Sequence, residues 1–197
     1  PIDAYQQGML YSSLTQGKSK VGERREYRNA SLIYEFSGGK NSGIRKSALN
    51  NLFGEKGLGS NKPTFYESEN SLNQEFFSKE YSNEDVNRLM GYALPGCLDF
   101  IRREISDDPL SYLEDDNFAE GYVSQAIWER GYLDDENISF SPKEDEEFKK
   151  ALETLDISYW EHDPSSQGRK LISIPTTEVR NHEFLKEFQD TYLQSKN

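Results

Sequence analysis

The chain has 197 residues, of which 29% are charged, 34% hydrophobic and 13% aromatic, with one cysteine and a net charge of -12 at pH 7. That length suits one domain of ordinary size that can bury a core without staples, and a single cysteine forbids an internal disulfide. No apolar run approaches the roughly 20 residues that span a bilayer and no secretory apolar segment opens the chain, so a soluble, cytoplasmic protein is expected, or one in a host cell's cytosol if it is an effector.

Residues 3 to 15 carry a weak helical pattern in Tyr5, Met9, Leu10 and Leu14, broken by Gly8. Gly17 to Arg28 is polar and basic, without period, and reads as a loop. Ala30 to Phe36 is short and rich in β-formers and reads as a strand, followed by a helix from about Ile44 to Phe53 that Gly54 can end. Glu55 to Pro63 reads as a loop and a seam. The seam divides a basic part, residues 1–62, from an acidic, mainly helical domain, residues 63–197. Residues 1–62 hold ten Lys or Arg against five acids, a net of +5, which leaves -17 for the remainder.

Thr64 to Tyr66 suits a short strand, and Leu72, Phe76, Phe77 and Tyr81 share a helical face. Ser82 to Ile105 keeps helical time longest, through Val86, Leu89, Met90, Ala93, Cys97, Ile101 and Ile105, with a kink at Pro95. It is the expected centre of the molecule. After a break at Asp107-Asp108-Pro109 and a short helical turn, a helix is expected over 117–130, stopped by Gly131. Ser141-Pro142-Lys143-Glu144 has the form of a helix start, with Ser141 as N-cap and Pro142 first in a helix to about Leu155. Ile157 to Glu161 and Lys170 to Ile174 read as a hairpin, and a last helix over 177–192 is capped by Thr176 or Thr177. The pattern predicts an α+β fold, a mainly helical single domain with a small antiparallel sheet of about four short strands. The sequence contains no internal repeat.

Three chemistries are carried by residue type and spacing. Cys97 follows Pro95-Gly96, where the dipole of a helix start would favour a thiolate. With His162 or His182 as base and Asp163 as orienter it would serve a cysteine-dependent hydrolase or transferase, whereas its place on the apolar stripe suits a small core residue. Phe36 to Gly43 is glycine-rich between a predicted strand and helix, and Gly38, Gly39, Lys40, Arg45 and Lys46 could bind a phosphate or nucleotide. Ser37, Gly38, Gly39, Asn41 and Ser42 resemble the SGGxDS loop of PP-loop ATP pyrophosphatases, with Asn41 where that family has an acid. Arg24, Arg25 and Arg28 surround Tyr27, a mixture found in single-stranded nucleic-acid sites and equally on a solvated basic face. The acids lack the alternation of a calcium loop, and one cysteine with two distant histidines serves zinc poorly.

Trp128, Trp160, Asp134 and Asp135 combine exposed acid with the aromatics that dominate protein-binding hot spots. The function expected from composition is that of a protein-binding regulator, inhibitor or effector acting through an acidic surface. It would need no cofactor or metal and would dock another protein with a basic surface. No membrane is expected, and nucleic acid is disfavoured because phosphate binding depends on Lys and Arg.

Overall fold

The computed structural model describes residues 3–17, 19–22, 31–37, 44, 47, 48, 51, 52, 65–67, 73, 74, 88–93, 104–162 and 170–195. Helix α1 (Ala4–Thr15) starts in a capping box in which the Asp3 side chain accepts from Gln6 N and the Gln6 side chain from Asp3 N. Strands β1 (Ser19–Gly22) and β2 (Ser31–Ser37) follow as an antiparallel hairpin. Residues 44, 47, 48, 51 and 52 are helical. Strands β3 (Phe65–Glu67), β4 (Asn73–Gln74) and β5 (Arg88–Ala93) complete a five-stranded antiparallel sheet in the order β1-β2-β5-β3-β4. A short helix α2 (Pro109–Tyr112) leads into α3 (Asp116–Arg130), capped by the Asp115 carboxylate on Phe118 N. Strands β6 (Tyr132–Asp134) and β7 (Asn137–Phe140), helix α4 (Asp145–Thr154), and strands β8 (Trp160–His162) and β9 (Leu171–Ile174) come next. They form a second antiparallel sheet in the order β6-β7-β9-β8, and helices α5 (Thr176–Asn181) and α6 (Glu183–Ser195) end the described chain.

The α+β class expected from the sequence holds, and it is built twice. Helix, hairpin, helix and further hairpin recur in the two halves, with equivalent strand orders β1-β2-β5-β3 and β6-β7-β9-β8. The two halves join through α1 and α3, which run side by side in the same direction. A Cβ on Gly8 would lie 2.1 Å from Phe118 O and 3.1 Å from Tyr122 N, and one on Gly121 2.1 Å from Tyr5 O and 3.2 Å from Met9 N. Only hydrogen fits at either point, so two backbones approach where other side chains would hold them apart. Gly121 lies 113 residues after Gly8, Phe118 113 after Tyr5 and Tyr122 113 after Met9. The contact therefore obeys a pseudo-two-fold axis at single-residue precision.

Because α1 and α3 are wedged between each other and the sheets, they are buried on nearly every side: Gly8 through Ser13 in one and Gly121 through Glu129 in the other. Such a helix lacks an amphipathic stripe. That is why the sequence pattern of α1 is weak although it lies at the centre, and why the strong rhythm of Ser82 to Ile105 misleads. The middle of that stretch is β5, paired with β2 on one side and β3 on the other. Gly91 is unfavourable to a helix, and two flanking strands satisfy the backbone of Arg88–Ala93 instead.

Other expectations are corrected on similar grounds. Part of the predicted loop Gly17 to Arg28 is β1, held by β2, and Asn73–Gln74 within the predicted helix 71–81 is β4. The hairpin β6–β7 turns through Asp135 and Glu136, at φ 48° and 70°. This is a two-residue turn of the left-handed type, and its usual glycine or asparagine signal is absent. Ser141 does not cap α4, which starts at Asp145. The Ser141 hydroxyl instead donates to Lys170 O, while the Gln16 side chain, brought from α1, accepts from Lys143 N and Glu144 N. The final helix is two, interrupted at His182, whose φ and ψ of -127° and 118° are extended. The seam at Glu55 to Pro63 lies outside the described residues.

Candidate functional site

The four-stranded sheet has two chemically different faces, fixed by register. Leu133, Ile138, Phe140, Ile172 and Ile174 alternate onto one face, and the last four are at most 1% exposed. Phe140 stacks on Phe148 of α4 at 4.5 Å between ring centroids, and Trp128 meets Phe188 edge-on at 5.2 Å, tying α3 to α6. This is the core side.

The opposite face carries a cross-strand row, Tyr132, Ser139, Ser173 and Trp160, since Tyr132 pairs with Ser139, Ser139 with Ser173, and Ser173 with Trp160. Ser139 Oγ and Ser173 Oγ lie 3.2 Å apart, and His162 Nε2 is 3.1 Å from Ser173 Oγ. Burial, followed by the charge of Asp134, raises the Tyr132 phenol above its ordinary range against a hydrogen bond with Ser139. Trp160 is 55% exposed. Tyr132, His162 and Trp160 can thus donate or accept toward a ligand on this face, whereas Ser139 and Ser173 are buried and spend their hydroxyls within the row.

A second polar cluster closes the C-terminal end of the helix pair. Glu129 has no solvent exposure; Oε1 accepts from Ser13 Oγ at 3.0 Å and Oε2 from Gln125 Nε2 at 2.7 Å. Gln125 also donates to Ala48 O and accepts from Asn51, bringing these two helical residues over the cluster. Gln16, equally buried, donates to Tyr122 Oη at 2.8 Å and to Glu144 O at 2.6 Å. Arg130 donates to Gln16 O and Ser141 O, with its guanidinium 5.3 Å from the Phe140 ring centroid. Every one of these bonds except Gln125 to Glu129 spans the helix pair or ties it to a neighbouring segment. The cluster is a lock between halves.

Beside α1 lies a cleft lined by Tyr11, Asp107, Asp108, Glu144, Glu146 and Glu147 among others. The Tyr11 hydroxyl donates to Glu147, which is buried. Burial first, and the nearby Glu144 charge second, raise the Glu147 carboxyl above the usual carboxylate range, while the Tyr11 hydrogen bond lowers it. Burial and the same carboxylate push the Tyr11 phenol up strongly. The field in this cleft repels anions.

The residues expected from the sequence are dispersed. Cys97, Asp163, Gly38, Gly39, Lys40, Arg45 and Lys46 lie outside the described residues. His162 is on the polar sheet face, whereas His182 sits between α5 and α6, 3.8 Å from Glu178 and edge-on to Phe184. Trp128 is a core residue, 8% exposed, and Trp160 is on the open face. Asp134 ends β6 and Asp135 occupies the turn. Sequence reasoning missed Ser139 and Ser173. Their signal was the alternation in Tyr132 to Phe140 around Asp135-Glu136, obscured by a turn without glycine.

No protein family matches the sequence, nor does any curated protein. Solved structures do match. Mesophilic variants of the homing endonuclease I-DmoI superpose with a TM-score of 0.52 at 10% identity, over 97% of this chain and 96% of that one. I-DmoI in complex with DNA and Mn gives 0.51 at 10% identity, over 97% and 98%, and a variant complex with its target DNA in the presence of Mn gives 0.55 at 10%, over 95% and 97%. The chain shares the I-DmoI fold. These matches overturn the expectation of a protein-binding regulator, inhibitor or effector, together with its alternatives of a Cys97 enzyme and a phosphate-binding loop at Ser37 to Lys46. They equally overturn the exclusion of nucleic acid. The physical error was to let the charge of the acidic part stand for every face: a region's net charge does not describe the one face that meets a ligand. Among the described residues no helix is long and apolar enough to cross a membrane.

Proposed function

We propose that this protein binds double-stranded DNA across the polar face of the four-stranded sheet and the β1–β2 hairpin. The observation that carries the reading is the correspondence, over nearly all of both chains, with I-DmoI, which is solved in complex with DNA. The sheet face supports it. A β-ribbon fits the major groove, where hydroxyl and imidazole groups reach base edges and methyl groups meet aromatic surface. Tyr132, His162 and Trp160 provide that chemistry on one side of the three-residue strands β6 and β8, held in place by the buried Ser139 and Ser173.

Phosphate contacts must come from elsewhere, because the acidic cleft beside α1 repels them. The basic part, residues 1–62, provides the cations, and the acidic remainder provides the base contacts. Arg24, Arg25 and Arg28 fall in the sequence between β1 and β2, so the hairpin is the natural place for phosphate neutralisation. A cytoplasmic location accords with this partner in a cell whose DNA shares that compartment.

The test is selection of duplexes from a randomised pool on the full chain, followed by mobility shifts over a salt series. Enrichment of a defined duplex is expected. Replacing Arg24, Arg25 and Arg28 together by alanine should weaken it about tenfold or more and flatten the slope of log affinity on log salt by about 2 to 3. Trp160→Ala should relax base preference while unfolding free energy stays within about 0.5 kcal/mol. A chain that enriches no duplex, even at low salt, would sink the reading.

A further inference from the structure

The matched I-DmoI complexes were solved with Mn, which raises the question whether this chain can hold a divalent ion against DNA. Such an ion needs several oxygen donors, chiefly carboxylates, with coordination positions left for water and phosphate. A duplex has two-fold symmetry of its own. A pseudo-symmetric protein that acts on both strands must therefore present equivalent donors near its own axis, as symmetric dimers do on palindromic sites. Here that axis passes between α1 and α3, and equivalent residues of the two helices meet across it.

The described carboxylate at the closed end of the helix pair is Glu129. It is fully buried and each oxygen accepts a hydrogen bond, from Ser13 and from Gln125. A Cβ on Gly17 would lie 2.4 Å from Glu129 Oε1, so the carboxylate fills the room that a side chain there would take. The equivalent position on α1, 113 residues earlier, is Gln16, an amide. Its nitrogen is committed to Tyr122 and Glu144, and its oxygen to two backbone N-H groups. Among the described residues no three His, Cys, Asp or Glu side chains are grouped to share a metal ion. One buried carboxylate, with both oxygens hydrogen-bonded and an amide at the equivalent position, does not fit a divalent cation that must also meet phosphate.

We infer that Gln16 and Glu129 are a matched pair of hydrogen-bonding hubs that hold the two halves in register. The protein accordingly binds duplex DNA without a divalent ion and leaves both strands intact. The inference rests on the DNA-binding reading. It adds that recognition here is separated from phosphodiester cleavage.

The test takes the full chain and a duplex enriched from the random pool. Affinity should agree within about twofold between EDTA and Mn. Denaturing gels should show unbroken strands after incubation with Mn or Mg. Titration of Mn alone, followed by the electron paramagnetic resonance of the free ion, should be the same for the natural chain and for Glu129→Gln. Mn-dependent nicks, or a Mn site lost in Glu129→Gln, would overturn this inference and leave DNA binding standing. Failure to bind any duplex would instead remove the DNA-binding reading, and this inference with it. Strand integrity and affinity are read on the natural chain, so the answer does not depend on the variant folding.

Discussion

The crossing point of α1 and α3 and the closed end of the same helix pair obey one pseudo-two-fold axis, yet only the first is symmetric in residue type. At the crossing, Gly8 and Gly121 meet carbonyls at the same 2.1 Å from an added Cβ. At the end, an amide stands opposite a carboxylate, and their partners differ: Tyr122 and the start of α4 for Gln16, Ser13 and Gln125 for Glu129. Close backbone approach tolerates a single residue, whereas a buried polar position can be satisfied by any group whose donors and acceptors are matched. Geometry therefore enforces symmetry at one end of the pair and chemistry releases it at the other.

The largest effect should come from the crossing. Gly121→Ala and Gly8→Ala should each lower unfolding free energy in urea by about 3 kcal/mol or more, because backbone has to move. The double variant should lose less than the sum, since helices already separated by one methyl accept the second at less cost. Strict additivity would break the claim that the two positions form one contact.

Glu129→Leu should cost about 2 kcal/mol or more by stranding the Ser13 hydroxyl and one bond of Gln125, and Glu129→Gln distinctly less, because an amide oxygen can still accept. Gln16→Leu should cost about 2 kcal/mol and release the start of α4, seen as faster hydrogen exchange at Lys143 and Glu144. If Glu129→Gln were as damaging as Glu129→Leu, charge rather than hydrogen bonding would hold the halves together.

The smallest effect concerns Glu147. Its carboxyl is raised in the folded state by burial and then by Glu144, so its stabilising contribution is full below the unfolded value and is lost as pH rises through the folded one. Glu147→Gln should therefore gain on the natural chain as pH rises from the ordinary glutamate range to neutrality, measured by urea midpoints at each pH. An unchanged difference across that range would show that Glu147 does not couple folding to protons.

Legibility in the sequence followed locality. Helix α3 was readable because Phe118, Tyr122, Ala126 and Ile127 keep period and Gly131 ends it, and β9 because Leu171 to Ile174 is a short apolar run. The polar sheet row was not, since Tyr132, Ser139, Ser173 and Trp160 come from four strands and are aligned only by register. The repeat was equally hidden, because equivalent elements share topology and two glycines rather than a sequence pattern.

By itself the sequence determined the α+β class, the extents of α1 and α3 within a residue or two, the hairpin β8–β9, and the regional division of charge. Only the tertiary structure decided that Arg88–Ala93 is a strand, that Trp128 is core while Trp160 is open, and that the approach to α4 is held by Gln16 rather than capped by Ser141. Local signals record what a residue prefers against water and its own neighbours. Strand pairing is settled by partners as distant as Leu32 and Ala93, and the helix crossing and buried lock by groups more than a hundred residues apart, such as Gln16 and Tyr122, whose hydrogen bonds and packing outweigh the few tenths to about one kcal/mol at stake in each local preference.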